Sequence, residues 1–117
     1  VLGSNFGQEV DLAAPGVSIV STIPGKQYAY ATGTSMSAPH ISGVVSLIWS
    51  VNPLLTAAQV RQVLLTTAFD ISEPGFDIYT GYGRVDAYEA LAYTMVNSPD
   101  VYNLYLPIFH DKYHFGN

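Results

Sequence analysis

A hydroxyl becomes a useful nucleophile when a tight turn exposes it, a base takes its proton, and positive polarity meets the resulting oxyanion. Gly33-Thr34-Ser35 supplies parts of such a place. Gly33 permits the turn, and Ser35 to Val51 reads as a helix that is apolar nearly all round, hence buried. The start of that helix carries free N–H groups and a partial positive charge, suited to the oxyanion formed when Ser35 attacks a carbonyl. The tripeptide also has a plainer reading. Ser is a favoured N-cap, and most Gly-Thr-Ser strings only start a helix. Two hydrolase patterns fail on single residues. A nucleophile elbow needs Gly where Ser37 stands, and a Ser-x-x-Lys site needs Lys where Ala38 stands.

The base is not supplied by the nearest histidine. His40 lies five residues beyond Ser35 on the same expected helix. That spacing is roughly 500° of rotation and about 7.5 Å of rise, so the two side chains point in different directions. His40 reads as a packed, hydrogen-bonded core residue. His110-Asp111-Lys112-Tyr113-His114 has the i, i+4 spacing of a helical zinc pair, but Asp stands where a zincin has Glu. It follows Pro107 in an aperiodic stretch, and a solvated tail is the simpler reading.

The elements that must position Ser35 follow from pattern. Val10–Ala14 is a short apolar run closed by Pro15-Gly16. Val17–Ser21 is β-branched and apolar, Pro24-Gly25 turns the chain, and Gln27–Ala31 reads as a strand. Asn52-Pro53 stops the helix that begins at Ser35. Thr56 and Gln59 have capping-box spacing, and Val60, Val63, Leu64 and Thr67 then share one face of a second helix. Residues 70–80 read as a loop. After Gly81-Tyr82-Gly83 comes a third helix, where Val85, Tyr88, Leu91, Ala92 and Met95 fall at helical spacing and are expected to pack. Strands first and helices after, with short connections, predict an α/β layered fold. Val96 to Asn117 is aromatic, contains Pro, and shows no period.

Composition narrows the classes. The chain has 117 residues, 49% hydrophobic and 11% charged, which is too apolar for a disordered segment. Its net charge is −5 and it has no basic cluster, so nucleic acid is not an expected partner. It has no cysteine, which excludes a disulfide scaffold, a Cys-ligated zinc and a thiol nucleophile. The longest apolar-rich stretch, Ile41 to Val51, is broken by Ser42, Gly43, Ser46 and Ser50, so no membrane span is expected. The chain opens at Val1 without an initiator Met, which reads as a cut end.

The longer string decides between the two readings of Ser35. Gly33-Thr34-Ser35-Met36-Ser37-Ala38-Pro39-His40-Ile41-Ser42-Gly43-Val44 closely resembles the nucleophile signature of subtilisin-like serine proteases. Ser4-Asn5-Phe6-Gly7 and Val10-Asp11-Leu12-Ala13-Ala14-Pro15-Gly16-Val17 resemble the family's upstream stretch, continued by Val20-Ser21-Thr22 and Tyr28. Asn52-Pro53, Val60-Arg61 and Leu64 resemble its helix hairpin, and Gly81-Tyr82-Gly83-Arg84-Val85-Asp86-Ala87 its closing motif. Residues 1–95 are thus read as the C-terminal part of a subtilisin-like peptidase domain, and 96–117 as a tail of unknown role.

The resemblance implies an α/β fold: part of a three-layer arrangement with a mostly parallel sheet and a buried helix starting at the nucleophile. It implies a serine endopeptidase that hydrolyses peptide bonds through an acyl-enzyme on Ser35. The Ser35 N–H would be one oxyanion donor, with Gly33 and Thr34 beside that site. Met36 would flank the nucleophile, and its oxidation would slow catalysis. Ala31 and Thr32 would line the leaving-group side of the cleft. Pro39 and His40 would be structural. The family order is Asp, then His, then Ser, so both triad partners, the oxyanion Asn and most of the pocket would precede Val1. Asp11 is not the triad Asp on this reading. The expected partners are polypeptide substrates and the missing N-terminal part of the domain, and the expected location is extracellular. No cofactor is expected; the resemblance allows calcium but identifies no site. These 117 residues alone are expected to be inactive, and poorly soluble or molten. Two other readings stand beside this one. One is a non-catalytic subtilisin-fold pseudoenzyme that binds peptides or serves as a scaffold. The other is a zinc or adhesion module centred on the tail.

Overall fold

A computed structural model describes residues 3–98. Two strands, β1 (Ile19–Ile23) and β2 (Gln27–Ala31), precede three helices, α1 (Thr34–Val51), α2 (Ala57–Thr66) and α3 (Ala87–Val96). The β-branched run Ile19-Val20-Ser21-Thr22-Ile23 suits a pleated strand. Pro24-Gly25-Lys26 then reverses the chain, with Gly25 at φ 88° and Lys26 at φ 60°. Pro fixes the first turn position, and Gly accepts the positive φ that follows. The result is a hairpin with Ile19 opposite Ala31 and Ile23 opposite Gln27.

That hairpin is antiparallel, and it is the only ladder among the described residues. The expected mostly parallel sheet does not appear there. The reason is connection length: a three-residue loop can join only antiparallel neighbours, whereas parallel strands need a crossover of about a dozen residues or more. Among the described residues, parallel pairing is confined to one isolated bridge, Ala13 with Arg84.

α1 carries no side-chain cap; Gly33 stands at its N-cap position. α2 has the full capping box. The Gln59 N–H donates to the Thr56 hydroxyl at 3.3 Å, and the Thr56 N–H donates to the Gln59 side-chain oxygen at 2.8 Å. α3 is capped by Asp86, whose carboxylate accepts from the Glu89 N–H at 3.0 Å.

The core is where the three helices meet. Val44 and Ile48 of α1 pack with Val60, Val63 and Leu64 of α2 and Ala90 of α3. Leu12, Ile41, Val45, Leu55, Val85 and Ala87 close its edges. A buried polar link ties the helix ends together, with the Asn52 amide donating to the Ser98 hydroxyl at 2.8 Å. The buried face of α3 differs from the expected one. Ala90 and Thr94 are buried, while Tyr88 and Met95 are exposed, Tyr88 at 77%. α3 lies close against α1, and a close helix contact selects small side chains over large ones. Thr94 tolerates burial because its hydroxyl donates to the Ala90 carbonyl at 2.7 Å. α1 itself is covered on one side only by the described elements, leaving Leu47 45% and Trp49 39% exposed.

The segment after the loop locks onto the segment before the hairpin. Val85 N–H donates to the Ala13 carbonyl and Ala13 N–H to the Gly83 carbonyl, both at 2.9 Å. Phe69 and Arg84 exchange two 2.8 Å backbone bonds on the other side. Gly83 makes this approach feasible: at φ 118°, a Cβ there would lie 2.8 Å from the Phe69 carbonyl carbon.

Candidate functional site

Ser35 is the second residue of α1, and its side chain is exposed. The hairpin delivers it: β2 ends at Ala31, Thr32 and Gly33 cross to the helix, and Thr34 begins it. Two backbone bonds define the crossing. Gly33 N–H donates to the Gly16 carbonyl at 2.8 Å, and Met36 N–H donates to the Gly33 carbonyl at 3.0 Å. Two side chains brace it. The Ser37 hydroxyl donates to the Ala14 carbonyl at 3.0 Å, and the Thr32 hydroxyl accepts from the Ser18 N–H at 2.9 Å.

Gly16 is the tightest point of this arrangement. A Cβ on it would collide with the Ser37 hydroxyl and stand 2.9 Å from the Gly33 oxygen. The sequence marks Pro15-Gly16 as a turn but gives no sign that Gly33 comes to rest on it. Gly16 and the Ser37 brace are therefore site residues that local pattern does not reveal.

The Ser35 N–H has no acceptor among the described residues, as the helix start requires. It is free for an oxyanion, with the helix dipole behind it. The Ser35 hydroxyl has no hydrogen-bonded base among the described residues. Ser35, Met36, Pro39 and His40 share the wall of one open cleft of about 310 Å³ with Ile19, Val20 and Ser21 of β1. His40 thus borders the same cleft as Ser35, but its ring is engaged elsewhere: Nδ1–H donates to the Met36 carbonyl at 2.9 Å. Gly33 and Thr34 line a second cleft of about 470 Å³ on the other side of α1, with Ala14, Ser37 and Ala38. Ala31 and Thr32 are exposed at the end of β2. The sequence-identified residues 31–36 therefore form one continuous stretch from strand end to helix start.

Asp11 is accounted for structurally. Its carboxylate takes a two-point contact from Arg61 of α2, at 3.3 Å and 2.5 Å, and its carbonyl accepts from the Tyr82 N–H at 2.9 Å. Asp77 holds the loop after α2. The Thr80 hydroxyl, with the Tyr79 and Thr80 N–H groups, donates to its carboxylate and keeps its pKa below the ordinary 3.8. Among the described residues no three His, Cys, Asp or Glu side chains cluster as metal ligands. His110 and His114 lie outside the described residues. No described helix is long and apolar enough to cross a membrane.

Residues 2–83 match the family model described as "Subtilase family". The chain belongs to the subtilase family. It is 46% identical over 90 residues to the thermophilic serine proteinase of Bacillus sp. (strain AK1), covering 77% of this chain and 21% of that protein. It is 45% identical over 87 residues to a subtilisin of Bacillus pumilus, covering 74% of this chain and 30% of that one. Among solved structures it resembles fervidolysin of Fervidobacterium pennivorans, described as a keratinolytic enzyme related to subtilisin. The TM-score is 0.72 at 36% identity, over 76% of this chain and 16% of that chain. This subtilase chain therefore spans between about a sixth and a third of the length of these relatives.

Proposed function

We propose that the protein carrying this chain is a serine endopeptidase that cleaves polypeptides through an acyl-enzyme on Ser35. The observation that supports this best is the placement of Ser35. It is exposed on a cleft wall at a helix start, with its own N–H unclaimed among the described residues. The names of the relatives, a serine proteinase and a subtilisin, agree with it.

On this reading Ser35 attacks the scissile carbonyl, and the Ser35 N–H receives the oxyanion, with Gly33 and Thr34 shaping that corner. Met36 flanks the nucleophile. Ala31 and Thr32 border the leaving group. The general base and its carboxylate partner come from another part of the protein, since His40 is committed to Met36 and Asp11 to Arg61. The rest of the domain would also supply the parallel strands of a three-layer fold and cover the exposed side of α1. Residues 1–95 are then the C-terminal part of that domain, with 96–117 as a tail. Chemistry of this kind needs no cofactor, and secretion fits a protease of this family.

Peptide release from an unfolded protein substrate tests the proposal. The full-length protein should cleave it, and these 117 residues alone should not. Ser35→Ala should lower kcat by about 10⁶-fold, the magnitude known for subtilisin itself. Full activity in Ser35→Ala would overturn the assignment of the nucleophile, and no cleavage by the unmutated full-length protein would favour the non-catalytic, peptide-binding reading of the fold.

A further inference from the structure

The helix ladder is interrupted beside the reacting hydroxyl. Pro39 lies inside α1 and has no N–H, so the carbonyl one turn before it, that of Ser35, has no helical donor. The first-turn N–H groups have no partner within the helix either. The turn that carries Ser35 is therefore held mainly by contacts outside the ladder. Gly33 hangs on Gly16, Ser37 on Ala14, and the His40 ring on the Met36 carbonyl at 2.9 Å.

We propose that His40 is a positioning residue: its Nδ1–H bond to the Met36 carbonyl adds a contact to the turn that Pro39 leaves one ladder bond short, and so holds the Ser35 turn in place. This rests on Ser35 being the nucleophile. A carbonyl can only accept, so the ring nitrogen facing Met36 carries the proton, and that partner fixes the tautomer. The ring is half-buried in the wall of the cleft that Ser35, Met36 and Pro39 also line. It acts through the Met36 backbone, one residue beyond Ser35, and not on the Ser35 hydroxyl.

Steady-state kinetics on the full-length protein separate positioning from mere packing. His40→Ala should lower kcat by roughly ten- to a hundredfold, the cost of an ångström-scale displacement, and leave KM within about twofold. His40→Asn, whose amide N–H sits near the place of Nδ1, should retain most of the rate. Pro39→Ala returns a backbone donor to the Ser35 carbonyl, so the loss caused by His40→Ala should shrink in that background. Equal losses in both backgrounds, or a lowered melting temperature with kcat unchanged, would overturn the proposal. Amide hydrogen exchange at Met36, Ser37 and Ala38 supplies a readout independent of activity. Faster exchange in His40→Ala supports the clamp, and unchanged exchange removes it. Peptidase activity that survives Ser35→Ala would instead defeat the nucleophile reading, with the exchange rates still deciding whether the clamp exists.

Discussion

Gly16→Ala should damage the site without touching any reacting group. The added Cβ would stand 2.9 Å from the Gly33 oxygen, where ordinary contact begins at 3.4 Å. Gly33 must therefore move by about half an ångström, and its bond to the Gly16 carbonyl moves with it. The Ser37 hydroxyl is closer still and must swing away, giving up its 3.0 Å bond to Ala14. That bond contributes about 1 kcal/mol, and overpacking adds a cost of similar size, so stability should fall by about 2 kcal/mol. Gly33 and Ser37 flank Ser35 on either side, so both ends of its turn shift. Displacement on this scale lowers kcat by roughly ten- to a hundredfold. The assay is kcat and KM on a chromogenic peptide with the full-length protein, beside a urea titration. Adding Ser37→Ala removes the closer collision and should restore part of the rate. An unchanged kcat in Gly16→Ala would refute the claim that this contact sets the Ser35 turn.

Other expectations follow from the same geometry. Ile48 is fully buried where the three helices meet. Ile48→Ala should cost about 2–5 kcal/mol in a denaturant titration of the full-length protein, and less than about 1 kcal/mol would mean the core sits elsewhere. Asp11→Asn breaks an ion pair whose side chains are 50% and 59% exposed. It should change stability by under about 1 kcal/mol and kcat by less than about threefold, and a loss of activity comparable to Ser35→Ala would make Asp11 catalytic after all. The Asp77 pKa is depressed, so its contribution to stability is present above the unfolded value and lost as pH falls through the folded one. Stability measured from pH 5 downward should begin to drop near 3.8, and Asp77→Asn should flatten that drop. An identical pH profile in the variant would remove the role given to Thr80 and Tyr79.

What was legible in the sequence was local. The Thr56 and Gln59 spacing announces the start of α2 because both halves of a capping box lie within one turn. Pro24-Gly25 announces the hairpin, and the run after Gly33 announces α1, for the same reason. Contacts between distant segments were not legible. Nothing in Ala13 or Phe69 says that Arg84 will bridge them, and nothing near Gly16 points to Gly33. The buried face of α3 is not legible from helical spacing, because apolar size does not decide burial there. The close contact with α1 favours Ala90 and Thr94 and leaves Tyr88 outside. Angle and rise exclude His40 as the base of Ser35, and the sequence reads it as a packed, hydrogen-bonded core residue. Its bond to Met36 agrees with the expected hydrogen bonding, but the ring is half-buried on an open cleft and not in the core, and its place beside Ser35 depends on β1, which helix geometry does not include.

The most direct test of the central claim is covalent. A fluorophosphonate phosphonylates a serine, with loss of fluoride, efficiently only when a base and an oxyanion site activate it. The full-length protein should be treated with one, digested, and its peptides weighed by mass spectrometry. A single stoichiometric adduct should form on the peptide containing Ser35, appearing at the rate at which peptidase activity disappears. Activity abolished with the adduct on another serine, or an unmodified Ser35 in an active protein, would contradict that claim.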